Sequence, residues 1–210
     1  MNNCLRWLFF QWVVRPIITI VLGLNVRHRQ RLPTTGPSIL VANHNSHLDT
    51  MVLMTLFPWR VQKLIRPVAA ADYFLKNRLI AWFSHHIIGI IPIRRTSSTK
   101  NPFALIQSAL NNNQMIVFYP EGSRGEPEQM SEIKRGIAHL AKQNPLVPIY
   151  PIFMYGLGKA LPKNESLLVP FVLDVVVGKP LFWTGDPDAL LKEIKLHFEQ
   201  QKQELIINEW

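Results

Sequence analysis

Short, largely apolar runs recur along this chain, and they constrain its fold more than any other feature. They fall at 39–42, 64–70, 87–93, 115–119, 146–153 and 171–178. Each is too short for a typical helix and reads as a buried strand. Segments with helical spacing lie between them, at 51–57, 79–86, 102–112 and 131–143. Ser131 is a candidate cap, and Asp186 or Asp188 caps a C-terminal helix. Strand alternating with helix predicts an α/β fold, with a mostly parallel or mixed central sheet flanked by helices. Ligands of such sheets bind outside the carboxyl ends of strands, so the polar residues that end each run are the candidates for chemistry.

The run Ile39–Ala42 ends in Asn43-His44-Asn45-Ser46-His47-Leu48-Asp49 before helical spacing resumes at Met51. His44 and Asp49 are five residues apart, which in a regular helix separates them by roughly 140°. They meet only if His44 lies in the turn before the helix and Asp49 on its first turn, pointing back. A carboxylate there suits the helix dipole, and bonded to one imidazole nitrogen it leaves the other free to take a proton. That pair would be a general base without a nucleophile of its own. His47 with Asp49 is a competing pair. A polar helix cap made by Asn43, Ser46 and Asp49 is the plainer alternative.

The N-terminus is apolar from Trp7 to Leu24, broken by Gln11, Arg15-Pro16 and Thr19. Pro16 predicts two short helices. Arg6 precedes them and Arg27, Arg29 and Arg31 follow, which fits a monotopic or re-entrant segment on the cytoplasmic face of the inner membrane. Residues 1–26 are therefore expected to associate with membrane and 27–210 to form the main domain. A net charge of +9 over 210 residues suits an anionic partner, but the basic residues form no long run, which argues against nucleic acid. The single cysteine, Cys4, excludes an internal disulfide and suits a reducing compartment.

Two further strand ends are polar. Arg94-Arg95 could grip a phosphate, although neighbours on a strand face opposite ways. Tyr119-Pro120-Glu121-Gly122-Ser123-Arg124-Gly125 has glycines that admit a ligand to the backbone, with Ser123 and Arg124 as donors. Two other classes compete with acid–base catalysis. One is a metal-dependent hydrolase using His44, His47 and Asp49, and the other a non-catalytic membrane-binding module that keeps only the fold.

Taken together, these blocks resemble the glycerolipid acyltransferase family, the HxxxxD acyltransferases. Asn43–Asp49 is similar to its NHxSxxD motif, and Gly89–Arg95 to its second motif, a glycine followed six residues later by arginine. Phe118–Arg124 resembles FPEG[TS]R, Lys134-Arg135-Gly136 the KxG that follows, and Val147–Pro151 the fourth, proline-containing motif. Tyr119 stands where the family usually has Phe. The resemblance implies that His44, aligned by Asp49, deprotonates an acceptor hydroxyl as it attacks a thioester carbonyl. Arg95, Gly122, Ser123, Arg124 and Lys134 would hold the acceptor's phosphate, and Glu121 a hydroxyl. The implied acceptor is a lysophospholipid, 1-acyl-sn-glycerol 3-phosphate above a lyso-ornithine lipid or a head-grouped lysophospholipid. The implied donor is acyl-CoA or acyl-carrier protein, with no metal or tightly bound cofactor.

Overall fold

The computed structural model describes residues 3–71, 77–93, 102–125, 130–161 and 169–207. Among these, seven strands form one sheet: β1 Leu24–Arg27, β2 Ser38–Ala42, β3 Ile65–Ala70, β4 Ile91–Ile93, β5 Met115–Phe118, β6 Ile149–Tyr155 and β7 Leu173–Val177. Their order is β1-β7-β6-β2-β5-β3-β4, parallel throughout except for the antiparallel β6–β7 pair. Parallel neighbours need crossover connections, and the helices between the strands supply them. The helices are α1 Asn3–Leu22, α2 Asp49–Thr55, α3 Trp59–Gln62, α4 Arg78–Phe83, α5 Ala104–Asn111, α6 Gly136–Gln143, α7 Leu157–Ala160 and α8 Pro187–Ile207.

Alternating side chains of the sheet enter two cores. Leu40, Val117 and Ile152 join residues of α1 and α2, while Ile39, Ile116 and Phe153 join residues of α5, α6 and α8. Covered on both faces, β2 is buried along its whole length, which explains its unbroken apolar sequence. Val41 pairs with Phe118 of β5 and Ala42 with Ile152 of β6, so the residues that end β2 and β5 emerge at one level. From that level the chain leaves β2 by α2 on one face and β5 by α6 on the other. This divergence is the switch point at which open α/β sheets form crevices.

Several expectations change. Instead of two helices broken at Pro16, α1 is one helix, and Pro16 is itself helical at φ −58° and ψ −42°. Wide turns over Phe10–Val14 and Ile17–Leu22 flank it, and the Arg15 N–H donates to the Phe10 carbonyl five residues back. Such turns make room for a proline without a break. They also keep Phe10, Val14, Ile18 and Leu22 in one buried row. A four-residue repeat would drift about 40° per step in a regular helix. Arg6 lies within α1 rather than ahead of it. It is fully buried and donates to the carbonyls of Gln62 and Ile65 at 3.0 Å and of Lys63 at 3.4 Å, closing the end of α3.

The run 87–93 contributes only β4, because Ser84–Ile88 continues α4 in wide turns until Gly89 reverses the chain at φ +80°. β1, Leu24–Arg27, is a strand where the expected N-terminal helical segment was to run to residue 26, and it crosses the expected boundary with the main domain. α6 starts at Gly136, so Ser131 caps nothing. Asp186 rather than Asp188 caps α8, its Oδ1 accepting from the Asp188 N–H at 2.9 Å.

Candidate active site

Beyond β2, the side chain of Asn43 takes over the ladder to β6. Its Oδ1 accepts from the Met154 N–H at 2.7 Å, and its Nδ2 donates to the Met154 carbonyl at 2.8 Å and to Asn45 Oδ1 at 2.9 Å. With its side chain so engaged, Asn43 anchors the chain as it turns away from the sheet. Ser46 Oγ donates to the Leu161 carbonyl at 2.9 Å, fixing the far side of the turn. α2 then begins at Asp49, the placement that the five-residue spacing requires.

Asp49 is 1% exposed, and its Oδ2 accepts from the Asn45 N–H at 2.7 Å, the Ser46 N–H at 2.9 Å and His44 Nδ1 at 2.8 Å. One oxygen thus holds the turn and orients the imidazole, so the capping and general-base readings describe the same residue. Against an ionised carboxylate only the ring can donate, so Nδ1 carries the proton and Nε2 is left to accept. His47 is not the ring that Asp49 holds. Partial desolvation, followed by the nearby Arg124 and His44, lowers its pKa below the ordinary 6.5, while Asp49 pulls the other way.

The turn after β5 grips the same histidine from its backbone side. Glu121, 1% exposed, accepts the His44 N–H on Oε1 at 2.9 Å and the Ser131 N–H on Oε2 at 2.7 Å. The Gly125 N–H donates to the His44 carbonyl at 2.9 Å. Burial raises the Glu121 pKa, and the two N–H donors partly offset it. Both oxygens of Glu121 accept a backbone N–H, so it positions the turn that carries His44, and the expected substrate hydroxyl would share one of these oxygens.

Gly122 turns at φ +72°, and a side chain there would meet Lys134 Nζ at 3.3 Å and Cδ at 3.4 Å, so the lysine stem lies across this glycine. The Lys134 N–H donates to the Pro120 carbonyl at 2.9 Å, which fixes the lysine against the turn. Ser123 is exposed, and Arg124 is half-buried with its Nη1 buried and without a hydrogen-bond partner among the described residues. Gly122, Ser123, Arg124 and Lys134 therefore gather on the turn that holds His44. Arg94 and Arg95 lie outside the described residues. Among the described residues no group of three His, Cys, Asp or Glu side chains could hold a metal ion, so His44, His47 and Asp49 do not form a ligand set.

One participant escaped the sequence reading. The Tyr119 ring stacks on the His44 imidazole with centroids 4.1 Å apart and planes 17° from parallel. Its hydroxyl lies 2.9 Å from Thr50 Oγ1 on the first turn of α2. Burial, and secondarily the Asp49 charge, push its pKa well above the ordinary value, so the phenol keeps its proton and serves as a wall for the imidazole. The available signal was an aromatic residue directly after β5, level with the histidine that follows β2.

Residues 23–155 match the acyltransferase family model, a span that contains His44, Asp49, Tyr119, Glu121, Arg124 and Lys134. Over 162 residues the chain is 25% identical to a chloroplastic 1-acyl-sn-glycerol-3-phosphate acyltransferase of Arabidopsis thaliana, covering 75% of this chain and 43% of the relative. Over 138 residues it is 32% identical to 1-acyl-sn-glycerol-3-phosphate acyltransferase alpha of Mus musculus, covering 63% of this chain and 45% of that protein. The chain thus spans about half the length of these curated relatives. The crystal structure of PlsC from Thermotoga maritima, a 1-acyl-sn-glycerophosphate acyltransferase, shares the fold with a TM-score of 0.75 at 16% identity, over 99% of this chain and 79% of that one. The chain belongs to the acyltransferase family.

Proposed function

We propose that this protein transfers a fatty acyl group from a thioester donor, acyl-CoA or acyl-carrier protein, to the hydroxyl of 1-acyl-sn-glycerol 3-phosphate, forming phosphatidic acid. The observation that carries the proposal is an imidazole held at Nδ1 by a buried carboxylate, beside a turn bearing Arg124 and Lys134. His44 Nε2 accepts the hydroxyl proton as the acceptor oxygen attacks the thioester carbonyl. The tetrahedral adduct then collapses, its carbon–sulfur bond breaks, and the departing thiolate takes the proton back from His44. Proton transfer of this kind typically contributes about 10²–10⁴-fold in rate. Arg124 and Lys134 suit the acceptor's phosphate, for which guanidinium offers paired donors. The names of the relatives support the same acceptor.

The reaction is proposed to occur on a membrane surface, at the cytoplasmic face. α1 is 20 residues long and apolar enough to cross a membrane, and only 28% of its most apolar stretch is buried in the protein. Trp12 and Ile20 of α1 and Leu79 of α4 are 72%, 81% and 78% exposed. α1 and α4 also flank an open apolar groove of about 410 Å³. Large exposed apolar surfaces of this kind mark interaction sites.

The test offers one labelled acyl-CoA with a panel of acceptors: 1-acyl-sn-glycerol 3-phosphate, a lyso-ornithine lipid and lysophosphatidylcholine. Labelled phosphatidic acid as the main product supports the reading. Preference for an acceptor without a terminal phosphate, or no transfer by folded protein, overturns it.

A further inference from the structure

A second basic pocket lies away from His44, between the C-terminal half of α1 and the end of α2. Arg15, Thr19, Leu24, Arg29 and Thr55 line a cavity of about 150 Å³. That is several times the roughly 30 Å³ of a water molecule and far too small for a whole lipid. No carboxylate lines it, and among the described residues neither arginine has an ion-pair partner.

Each guanidinium is anchored by one nitrogen on a carbonyl at the end of α2. Arg29 Nη2 donates to the Leu56 carbonyl at 2.8 Å and Arg15 Nη2 to the Phe57 carbonyl at 3.4 Å. These anchors hold both forks in place, so less freedom is lost when a ligand binds. Arg15 Nε is buried and has no hydrogen-bond partner among the described residues. That atom has no accessible surface, so a ligand's contacts fall to the Nη donors of the two guanidinium groups, for which an anionic oxygen is the best partner. Two planar forks that line one cavity, each with donors beyond its carbonyl bond, suit a phosphate.

We propose that this pocket binds the phosphate of an anionic membrane lipid, as a site separate from the acceptor site. Leu56 lies seven residues beyond Asp49, about 10 Å along α2 at the helical rise. The choice of a lipid follows from the surroundings. Arg15 and Thr19 share α1 with Trp12 and Ile20, 72% and 81% exposed, so the ester stem and acyl chains have apolar surface on which to continue. With α1 against the leaflet, the pocket sits at head-group depth and fixes the rotation of the protein on the membrane. This part of the inference rests on the membrane association proposed above.

The experiment compares the wild-type chain with Arg15→Lys and Arg29→Lys, which keep the charge and lose the fork. Arg60→Lys is the control, since Arg60 is exposed on α3 outside the pocket. Circular dichroism checks that each variant is folded. Short-chain phosphatidylglycerol below its micelle-forming concentration should raise the melting temperature saturably in wild type and in Arg60→Lys. The rise should be lost in either pocket variant, and inorganic phosphate should not reproduce it. On phosphatidylglycerol-rich vesicles each pocket variant should bind about tenfold more weakly, the worth of one charge-assisted hydrogen bond, with no change on phosphatidylcholine vesicles. An equal rise with inorganic phosphate, or an equal loss in Arg60→Lys, overturns the lipid site. A retained short-chain response without any vesicle binding upholds the pocket and sinks the membrane reading instead.

Discussion

Asp49 Oδ2 carries three hydrogen bonds, two to loop N–H groups and one to His44, so its substitutions separate two roles. Asp49→Asn removes the charge that sets the imidazole tautomer while leaving an oxygen for the turn. Acyl transfer should fall by about 10²–10⁴-fold with the circular dichroism spectrum unchanged. His44→Ala should fall at least as far, and turnover close to wild type in either variant would exclude the pair as the base. Tyr119 predicts a graded series. Tyr119→Phe keeps the ring stacked on His44 and loses the bond to Thr50, whereas Tyr119→Leu frees the imidazole. kcat should stay near wild type in the first and drop about tenfold to a hundredfold in the second, with KM little changed in both.

His47 supplies a pH test with a definite sign. Its folded-state pKa lies below 6.5, so as pH falls through 6.5 the unfolded chain takes up the proton first. Its contribution to stability is therefore complete above 6.5 and is lost progressively as pH falls toward the folded value. His47→Gln should flatten that part of the stability–pH curve and leave kcat at neutral pH nearly unchanged. A large loss of kcat would make His47 the functional ring.

At the scale of elements, the two turns beyond β2 and β5 form one unit, with Glu121 as the tie. Glu121→Ala leaves the part-buried N–H groups of His44 and Ser131 without their acceptor, at about 0.5–1.5 kcal/mol for each lost hydrogen bond. Thermal unfolding should show the loss, and activity should fall through kcat because the backbone of His44 shifts. If Glu121 also binds a substrate hydroxyl, KM should rise as well. Arg6 ties α1 to the end of α3 in a comparable way. Arg6→Met keeps an apolar stem, leaves the carbonyls of Gln62 and Ile65 without their donor, and should lower stability by about 1.5–3 kcal/mol in urea unfolding.

Across the whole molecule, α1 has a packing duty beside its proposed membrane contact. Its buried row, Phe10, Val14, Ile18 and Leu22, completes the core over one face of the sheet. Deleting the helix would uncover that core, so loss of solubility is the expected result, and the deletion cannot report on membrane binding. Polar replacement of the outward residues separates the two duties. Trp12→Gln with Ile20→Gln should move the protein to the soluble fraction with an unchanged melting temperature. Activity should fall on bilayer substrate more than on a short-chain lysolipid. Continued sedimentation with membranes would mean that α1 is not the membrane contact.

Sequence alone determined the features that depend on local pattern. Unbroken apolar runs announced strands buried on both faces, as at Ile39–Ala42, and the five-residue gap from His44 to Asp49 limited them to one way of meeting. The order of the motif blocks carried the family. Contacts between distant segments decided the rest. Glu121 spans 77 positions to reach the His44 backbone, and Arg6 spans 56 to reach Gln62, separations over which no periodicity carries information. The course of α1 through Pro16 was decided in the same way. Local propensity favours a break at a proline, but four apolar residues at four-residue spacing gain a shared core only if the helix runs on and widens. Tyr119 became the wall of the imidazole because the sheet register sets β5 beside β2, and register belongs to the assembled sheet alone.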